Sequence, residues 1–413
     1  MSELTFRRWT LLSAIVFIAN MAVGQTTSPE LKKLYDAHSC FQMREKISAP
    51  GTPVFYRAVA ACNFREGKLC REGLRQVQRQ APSSDDAWEA TSLLAQGALA
   101  EGRYSEALVQ VKMLLRLRPA DKDAQNAEAF FGALATSGDQ KLVRRKAGSV
   151  PVVQFDGNVG SNLTINGHSA AFLFDTGANV SIMSEGQAEL LGLTVHDVAA
   201  KMNVATGQKI SFRIADAPSL RLGGVELRNV AFLVVADDAE PFVEMAKGQR
   251  GIIGLPVLLA AQTLRMQDGN FAIAYKPAKY RRESANVCAY GPTLSVELMQ
   301  DAKPMNFALD TGAVHTDLYT AFANAFPALV ASGQKDKFTQ NGIGSSEEFP
   351  IITLPSVKFD LAGYPVTLAP ARVLMKPSVE GNSETLFGNL GMDLLGQGKE
   401  LSFDFHAMRL SIR

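Results

Sequence analysis

Phe172-Leu173-Phe174-Asp175-Thr176-Gly177-Ala178 and Phe307-Ala308-Leu309-Asp310-Thr311-Gly312-Ala313 are two copies of one short pattern, 135 residues apart. At ordinary residue frequencies a bare Asp-Thr-Gly arises roughly once in several thousand positions. Two copies, each closing an apolar run and each followed by alanine, point to an internal duplication. The context repeats as well. Gly251-Ile252-Ile253-Gly254 follows the first copy and Gly388-Asn389-Leu390-Gly391 follows the second at nearly the same offset, and each unit ends in a strand-like tail, 271–275 and 401–405. The chain therefore has to fold as two related units, read here as 147–280 and 281–413.

Both units have β character. Short alternating or continuous apolar runs at 152–155, 163–165, 171–174 and 230–235 predict strands, and Asn166-Gly167 and Asp268-Gly269 predict tight hairpin turns. The clearest helix signal is 185–191. Upstream the spacing changes. From Ser28 to about Lys146 apolar residues recur at i, i+3 and i+4, and β-branched runs are scarce. Leu94, Ala95, Gly102, Tyr104, Ala107, Leu117 and Pro119 resemble one tetratricopeptide unit, with small Ala95 and Ala107 where two helices would meet and Gly102 at the turn. Ala60, Gly67, Leu69 and Pro82 form a weaker copy, and a third helix is expected from Lys122 to about Thr136. So short an array is marginal alone. A groove for a protein partner, a shield over the active site and a plain spacer all fit it. Arg144-Arg145-Lys146 reads as a cleavable boundary, which also allows an inhibitory segment removed on activation.

The duplicated motifs resemble those of the aspartic peptidases, in particular the retropepsin-like group, over residues 150–413. Each unit has hydrophobic-hydrophobic-Asp-Thr-Gly-Ala, then, before a short helix, a glycine preceded by two hydrophobic residues in the first unit and by Asn389-Leu390 in the second. Both units in one chain look like the bilobed arrangement of pepsin-like enzymes. The resemblance implies an all-β bilobed acid-protease fold, and with the helical spacing upstream the chain reads as multidomain, that fold preceded by an all-α, tetratricopeptide-like region at 25–146. It implies an aspartic endopeptidase acting on peptide or protein substrates, with Asp175 and Asp310 catalytic. Thr176, Gly177, Ala178, Thr311, Gly312 and Ala313 would complete the motifs, the threonines bonding across the lobe interface. It also implies a flap at 202–214 with Thr206 and Gly207 at its tip, matched in the second lobe by 338–351 with Gly342 and Gly344.

The chemistry has an independent rationale. Two carboxylates within hydrogen-bond range repel, so one keeps its proton while the other ionises, giving an acid and a base side by side. Their apparent pKa values belong to the pair, so neither role is assigned here to one residue. Ala178 and Ala313 lack a hydroxyl that could donate to the carboxylates, which predicts a mildly rather than strongly acidic working pH. Asn389 stands where the first unit has Ile252, which predicts looser packing behind the second aspartate.

The competing chemistries find no sequence support. There is no HExxH, GxSxG or phosphate-binding loop, and His38, His168, His196, His315 and His406 lack metal-ligand spacing, so neither metal nor cofactor is expected. His315, close after Asp310, reads as a surface or capping residue. A non-catalytic exported scaffold, binding peptides through the helices and the cleft, is the alternative function. Hydrophobic residues at 46% and charged residues at 20% exclude a disordered chain, and a net charge of +1 gives no whole-molecule attraction for nucleic acid. Residues 1–24, with Arg7 and Arg8 ahead of an apolar run and Ala22-Val23-Gly24 at its end, read as a signal peptide rather than a stable membrane span. Export would place Cys40, Cys62, Cys70 and Cys288 where disulfides form. Three pairings are possible, and Cys62 and Cys70 are the nearest in sequence. Lys276–Arg282 reads as a solvated linker between lobes, and two lobes in one chain predict a monomer.

Overall fold

The computed structural model describes residues 28–203, 209–277, 284–342, 345–377 and 384–413. Among the described residues seven helices come first: α1 (Pro29–Asp36), α2 (Cys40–Lys46), α3 (Val54–Asn63), α4 (Gly67–Gln80), α5 (Asp85–Ala100), α6 (Tyr104–Leu117) and α7 (Lys122–Ala135). From α3 onward, consecutive helices pack as neighbours. Ser84 and Asp121 cap α5 and α7 by accepting from the N–H groups of Ala87 and Ala124. Gly102 turns the chain between α5 and α6 at a φ of 68°, and Ala95 and Ala107 are fully buried, as the sequence pattern requires. Leu69 departs from the expected weaker copy, because it lies outside the helical core and is 56% exposed.

The helical stretch ends at Ala135, earlier than the apolar spacing predicts. Lys141–Arg145 instead forms an exposed strand paired with Val225–Arg228, so Arg144 and Arg145 belong to an edge of the first β sheet. Beyond it the duplication becomes geometry. In the first half, strands run in the spatial order Val225–Arg228, Leu220–Leu222, Asn158–Ile165, His168–Phe174, Gly251–Ile253, Ser181–Ser184, Val230–Val235, Lys209–Ala217, Val195–Asn203. The second half repeats this strand for strand: Tyr364–Leu368, Val357–Leu361, Thr293–Gln300, Lys303–Leu309, Gly388–Leu390, Asp317–Leu318, Ala371–Leu374, Ser345–Leu354, Gln334–Gly342. Pairing directions repeat too: Gly251–Ile253 is parallel to His168–Phe174, as Gly388–Leu390 is to Lys303–Leu309. The architecture is mostly β and two-lobed, with helices before it.

The predicted Asn166-Gly167 and Asp268-Gly269 turns have φ of 48° and 85°, and of 49° and 71°, the left-handed conformations a two-residue hairpin needs. A third sheet joins the halves, with Thr263–Gln267 of the first pairing Glu400–Asp404 of the second. Beneath the seam an apolar floor of Val159, Phe174, Leu258, Leu264, Phe271, Met392 and Phe403 leaves a void of about 20 Å³.

The helices are fastened to both halves. Cys40, at the start of α2, is disulfide-bonded to Cys288 in the second half, while Cys62 and Cys70 bridge α3 and α4. Tyr290 Oη donates to the Tyr35 carbonyl (2.5 Å) and Asn306 Nδ2 to that of His38 (3.1 Å). On the other side Phe130 of α7 meets Phe212 edge-to-face at 5.5 Å, within one apolar cluster that also holds Leu173 and Ile252. Among the described residues no helix is long and apolar enough to cross a membrane.

Candidate active site

Each Asp-Thr-Gly begins where an apolar strand ends, His168–Phe174 or Lys303–Leu309. The backbone there is locked by matched bonds. Asp175 N–H donates to the Ile253 carbonyl (3.0 Å) and Asp310 N–H to that of Leu390 (3.1 Å). The Ala178 carbonyl accepts from Leu255 N–H and the Ala313 carbonyl from Met392 N–H, both at 2.8 Å. These contacts explain the distant glycines: a Cβ on Gly254 or Gly391 would lie 2.6 or 2.8 Å from the Ala178 or Ala313 carbonyl oxygen. Six residues after each aspartate a hydroxyl supports the same glycine, Ser181 Oγ accepting from Gly254 N–H (3.1 Å) and Thr316 Oγ1 from Gly391 N–H (3.0 Å).

The two loops meet through their threonines. Thr176 N–H donates to Thr311 Oγ1 and Thr311 N–H to Thr176 Oγ1, each at 3.0 Å. Each hydroxyl in turn donates across the seam at 2.8 Å, Thr176 to the Leu309 carbonyl and Thr311 to that of Phe174. All four bonds are buried, and they fix the separation of the strand ends that hold the aspartates. Asn158 adds one more crossing bond, from Nδ2 to the Gly312 carbonyl (2.7 Å).

The carboxyl groups of Asp175 and Asp310 are thereby held side by side: the position of a Cβ on Gly177 is within 3.2 Å of both. The glycines are what let them approach. A Cβ on Gly312 would lie 2.4 Å from Asp175 Cγ, and one on Gly177 would lie 2.9 Å from Asp310 Oδ1. Asp175 Oδ1 accepts from Gly177 N–H (2.7 Å), while Asp310 Oδ1 accepts from Gly312 N–H (2.9 Å) and Ala313 N–H (3.1 Å). Asp175 is fully buried and Asp310 is 5% exposed. Burial, then the negative charge of Asp310, holds Asp175 well above the usual carboxylate range. Burial raises Asp310 as well, opposed by hydrogen bonds, that from Asn389 foremost.

Asn389 corrects the expectation of looser packing. It is 4% exposed, and its Nδ2 donates to Asp310 Oδ2 at 2.7 Å. The sequence carried the signal, a polar residue breaking the repeat of Ile252, but not its meaning. Nothing in the local sequence of Asn158 indicates its partner in the other half. His315 Nδ1 lies 3.7 Å from Asp393 Oδ2. Of the flap residues, Thr206, Gly207 and Gly344 fall outside the described residues. The flanking strands Val195–Asn203 and Lys209–Ala217 do pair as a hairpin, as do Gln334–Gly342 and Ser345–Leu354.

Comparison with known proteins finds similarity over part of the chain. Residues 161–258 match the model of the gag-polyprotein putative aspartyl proteases, a segment spanning the first Asp-Thr-Gly and Ile252-Ile253-Gly254. No curated protein matches the chain. Among solved structures, a retropepsin-like aspartic protease from Rickettsia conorii is 18% identical, over 32% of this chain and 94% of its own, with a TM-score of 0.23. An aspartic proteinase from Irpex lacteus is 14% identical over 64% of this chain and 96% of its own, TM-score 0.40. Basic 7S globulin from soybean is 11% identical over 65% and 95%, TM-score 0.33.

Proposed function

We propose that the chain is an aspartic endopeptidase whose hydrolytic water is activated between Asp175 and Asp310. The observation that carries this reading is the pair of buried carboxyl groups held side by side at the seam of two equivalent lobes. One proton shared by the pair supplies both functions the reaction needs. The ionised carboxylate takes a proton from water as its oxygen bonds to the scissile carbonyl carbon, and the protonated carboxyl gives its proton to the carbonyl oxygen. The resulting gem-diol collapses as the C–N bond breaks. The leaving nitrogen takes the proton held since the first step, and a diol hydroxyl returns one to the other carboxyl group. Atoms and charge balance over the cycle without a further reactant.

Residues 147–280 and 281–413 serve as the two lobes of a monomer in this reading, with the paired strands around 202–214 and 338–351 as covering hairpins. The helices from Pro29 to Ala135 act as a tetratricopeptide-like region able to take a protein partner, supported by the packing of consecutive helices α3 to α7. Residues 1–24 direct export, a reading with which the two disulfides are compatible.

The burial of both carboxylates favours a second reading of the state described, a closed form that opens before a peptide enters. Cleavage of a denatured protein mixture by the full chain between pH 3 and 7 tests the function. Wild type should cut, Asp175→Asn and Asp310→Asn should not, and a statine inhibitor should block cutting. Silence of the wild type across this range, with no statine binding, would favour a non-catalytic peptide-binding scaffold.

A further inference from the structure

The pseudo-symmetry of the site fails at one buried position. Strand Gly251–Ile253 places Ile252 opposite Leu173, two residues before Asp175, and strand Gly388–Leu390 places Asn389 opposite Ala308, two residues before Asp310. Nearly every other donor at the site has a counterpart across the seam. The amide of Asn389 has none, since Ile252 offers only hydrocarbon. We infer that Asn389 is a positioning residue that decides which member of the pair carries the shared proton: it holds Asp310 as the ionised carboxylate and leaves the proton on Asp175.

The argument is one of donor and acceptor capacity. An amide NH₂ can only donate, so a carboxyl oxygen facing it is best satisfied as an unprotonated acceptor. Asp310 receives three such donors, Gly312 N–H and Ala313 N–H on Oδ1 and Asn389 Nδ2 on Oδ2. Asp175 Oδ2 is buried with no donor directed at it. An uncompensated buried carboxylate oxygen is costly, whereas the same oxygen as a hydroxyl can donate to its partner. The hydroxyls missing at Ala178 and Ala313 make the effect larger. Asn389 supplies a side-chain donor to one carboxylate only, and the pair becomes polarised. Asp310 is then the group that takes the proton from water, and Asp175 the group that protonates the carbonyl oxygen.

This assignment rests on the peptidase reading, and the experiment separates the two. Asn389→Ile, which copies the first lobe, and Asn389→Leu are compared with wild type in the full chain by the pH dependence of kcat/KM on a cleaved peptide. The acid limb, which reports ionisation of the first member of the free pair, should move up by about one pH unit, and kcat should fall about tenfold or more. A side chain that merely lined the cleft would change KM and leave that limb in place. A second readout needs no activity: ¹³C-carboxyl aspartate signals of the folded chain are titrated, with Asp175→Asn and Asp310→Asn as assignments. The lower-titrating signal of the pair should belong to Asp310 and rise in both Asn389 variants. An unmoved acid limb and an unmoved Asp310 signal in an active enzyme would overturn the role of Asn389 and leave the peptidase reading intact. If wild type and the aspartate variants cleave alike, the peptidase reading fails, and the carboxyl titration still decides whether Asn389 holds Asp310 ionised.

Discussion

Replacing Thr176 by valine removes one hydroxyl and keeps the branched shape. That hydroxyl donates to the Leu309 carbonyl at 2.8 Å and accepts from Thr311 N–H at 3.0 Å, both inside the seam. Leaving a buried polar group without its partner costs about 1–3 kcal/mol, so two orphaned groups predict a loss of about 2–6 kcal/mol. Thr176→Ser keeps both bonds and deletes a single methyl, for which about 1 kcal/mol is expected. Urea unfolding of the full chain followed by far-UV circular dichroism measures both variants. The valine variant should also lose at least about a hundredfold in kcat, since misplacing reacting groups by an ångström has that effect. Thr311→Val should behave alike, and the double variant should fall short of the sum, because the two side chains share bonds. Equal destabilisation by serine and valine would refute the reasoning. It would mean that the threonines act through packing rather than through their crossed hydrogen bonds.

Gly312→Ala, which places a methyl 2.4 Å from Asp175 Cγ, should abolish cleavage and statine binding, whereas Gly167→Ala, at a turn where nothing lies within 4 Å, should cost stability alone, its φ being 85°. The folded-state pKa of Asp175 is raised above its unfolded value of about 4, so its contribution to stability is present below that pH and is lost as pH rises through the folded value. Asp175→Asn should therefore melt close to wild type at pH 4 and clearly above it at pH 7, and melts that rise equally at both pH values would contradict the shift. Replacing both Cys40 and Cys288 by serine should cost about 2–5 kcal/mol and make α1 and α2 early targets of limited proteolysis.

What could be read from the sequence follows from how local each cause is. Asp-Thr-Gly needs a strand before it and a tight, glycine-dependent turn within it, and both leave marks within a few residues. The two hairpin turns are legible for the same reason, since Asn166-Gly167 and Asp268-Gly269 are chosen for their backbone conformations. Strand order was less accessible, because Gly251–Ile253 slips between His168–Phe174 and Ser181–Ser184 from far along the chain. The strand Lys141–Arg145 was hidden by its exposure: with no buried face it shows no alternation, and only its pairing with Val225–Arg228 creates it. Asn389 looked like a defect in the repeat, since a sequence shows the loss of an apolar residue but not the carboxylate it faces. The Cys40–Cys288 bond lay beyond reach because sequence distance says nothing about which surfaces dock.

That bond bears on how the molecule would respond to a cut. Cys40 and Cys288 lie on opposite sides of the strand that carries Arg144 and Arg145. A protease acting there would produce two polypeptides but still one covalent molecule. Such a nicked form would migrate as a single band on a non-reducing gel and separate only after reduction. Removal of the helical region as a soluble fragment would thus require two chemical events, a hydrolysis and a reduction, and in an oxidising compartment the first would leave the helices where they were.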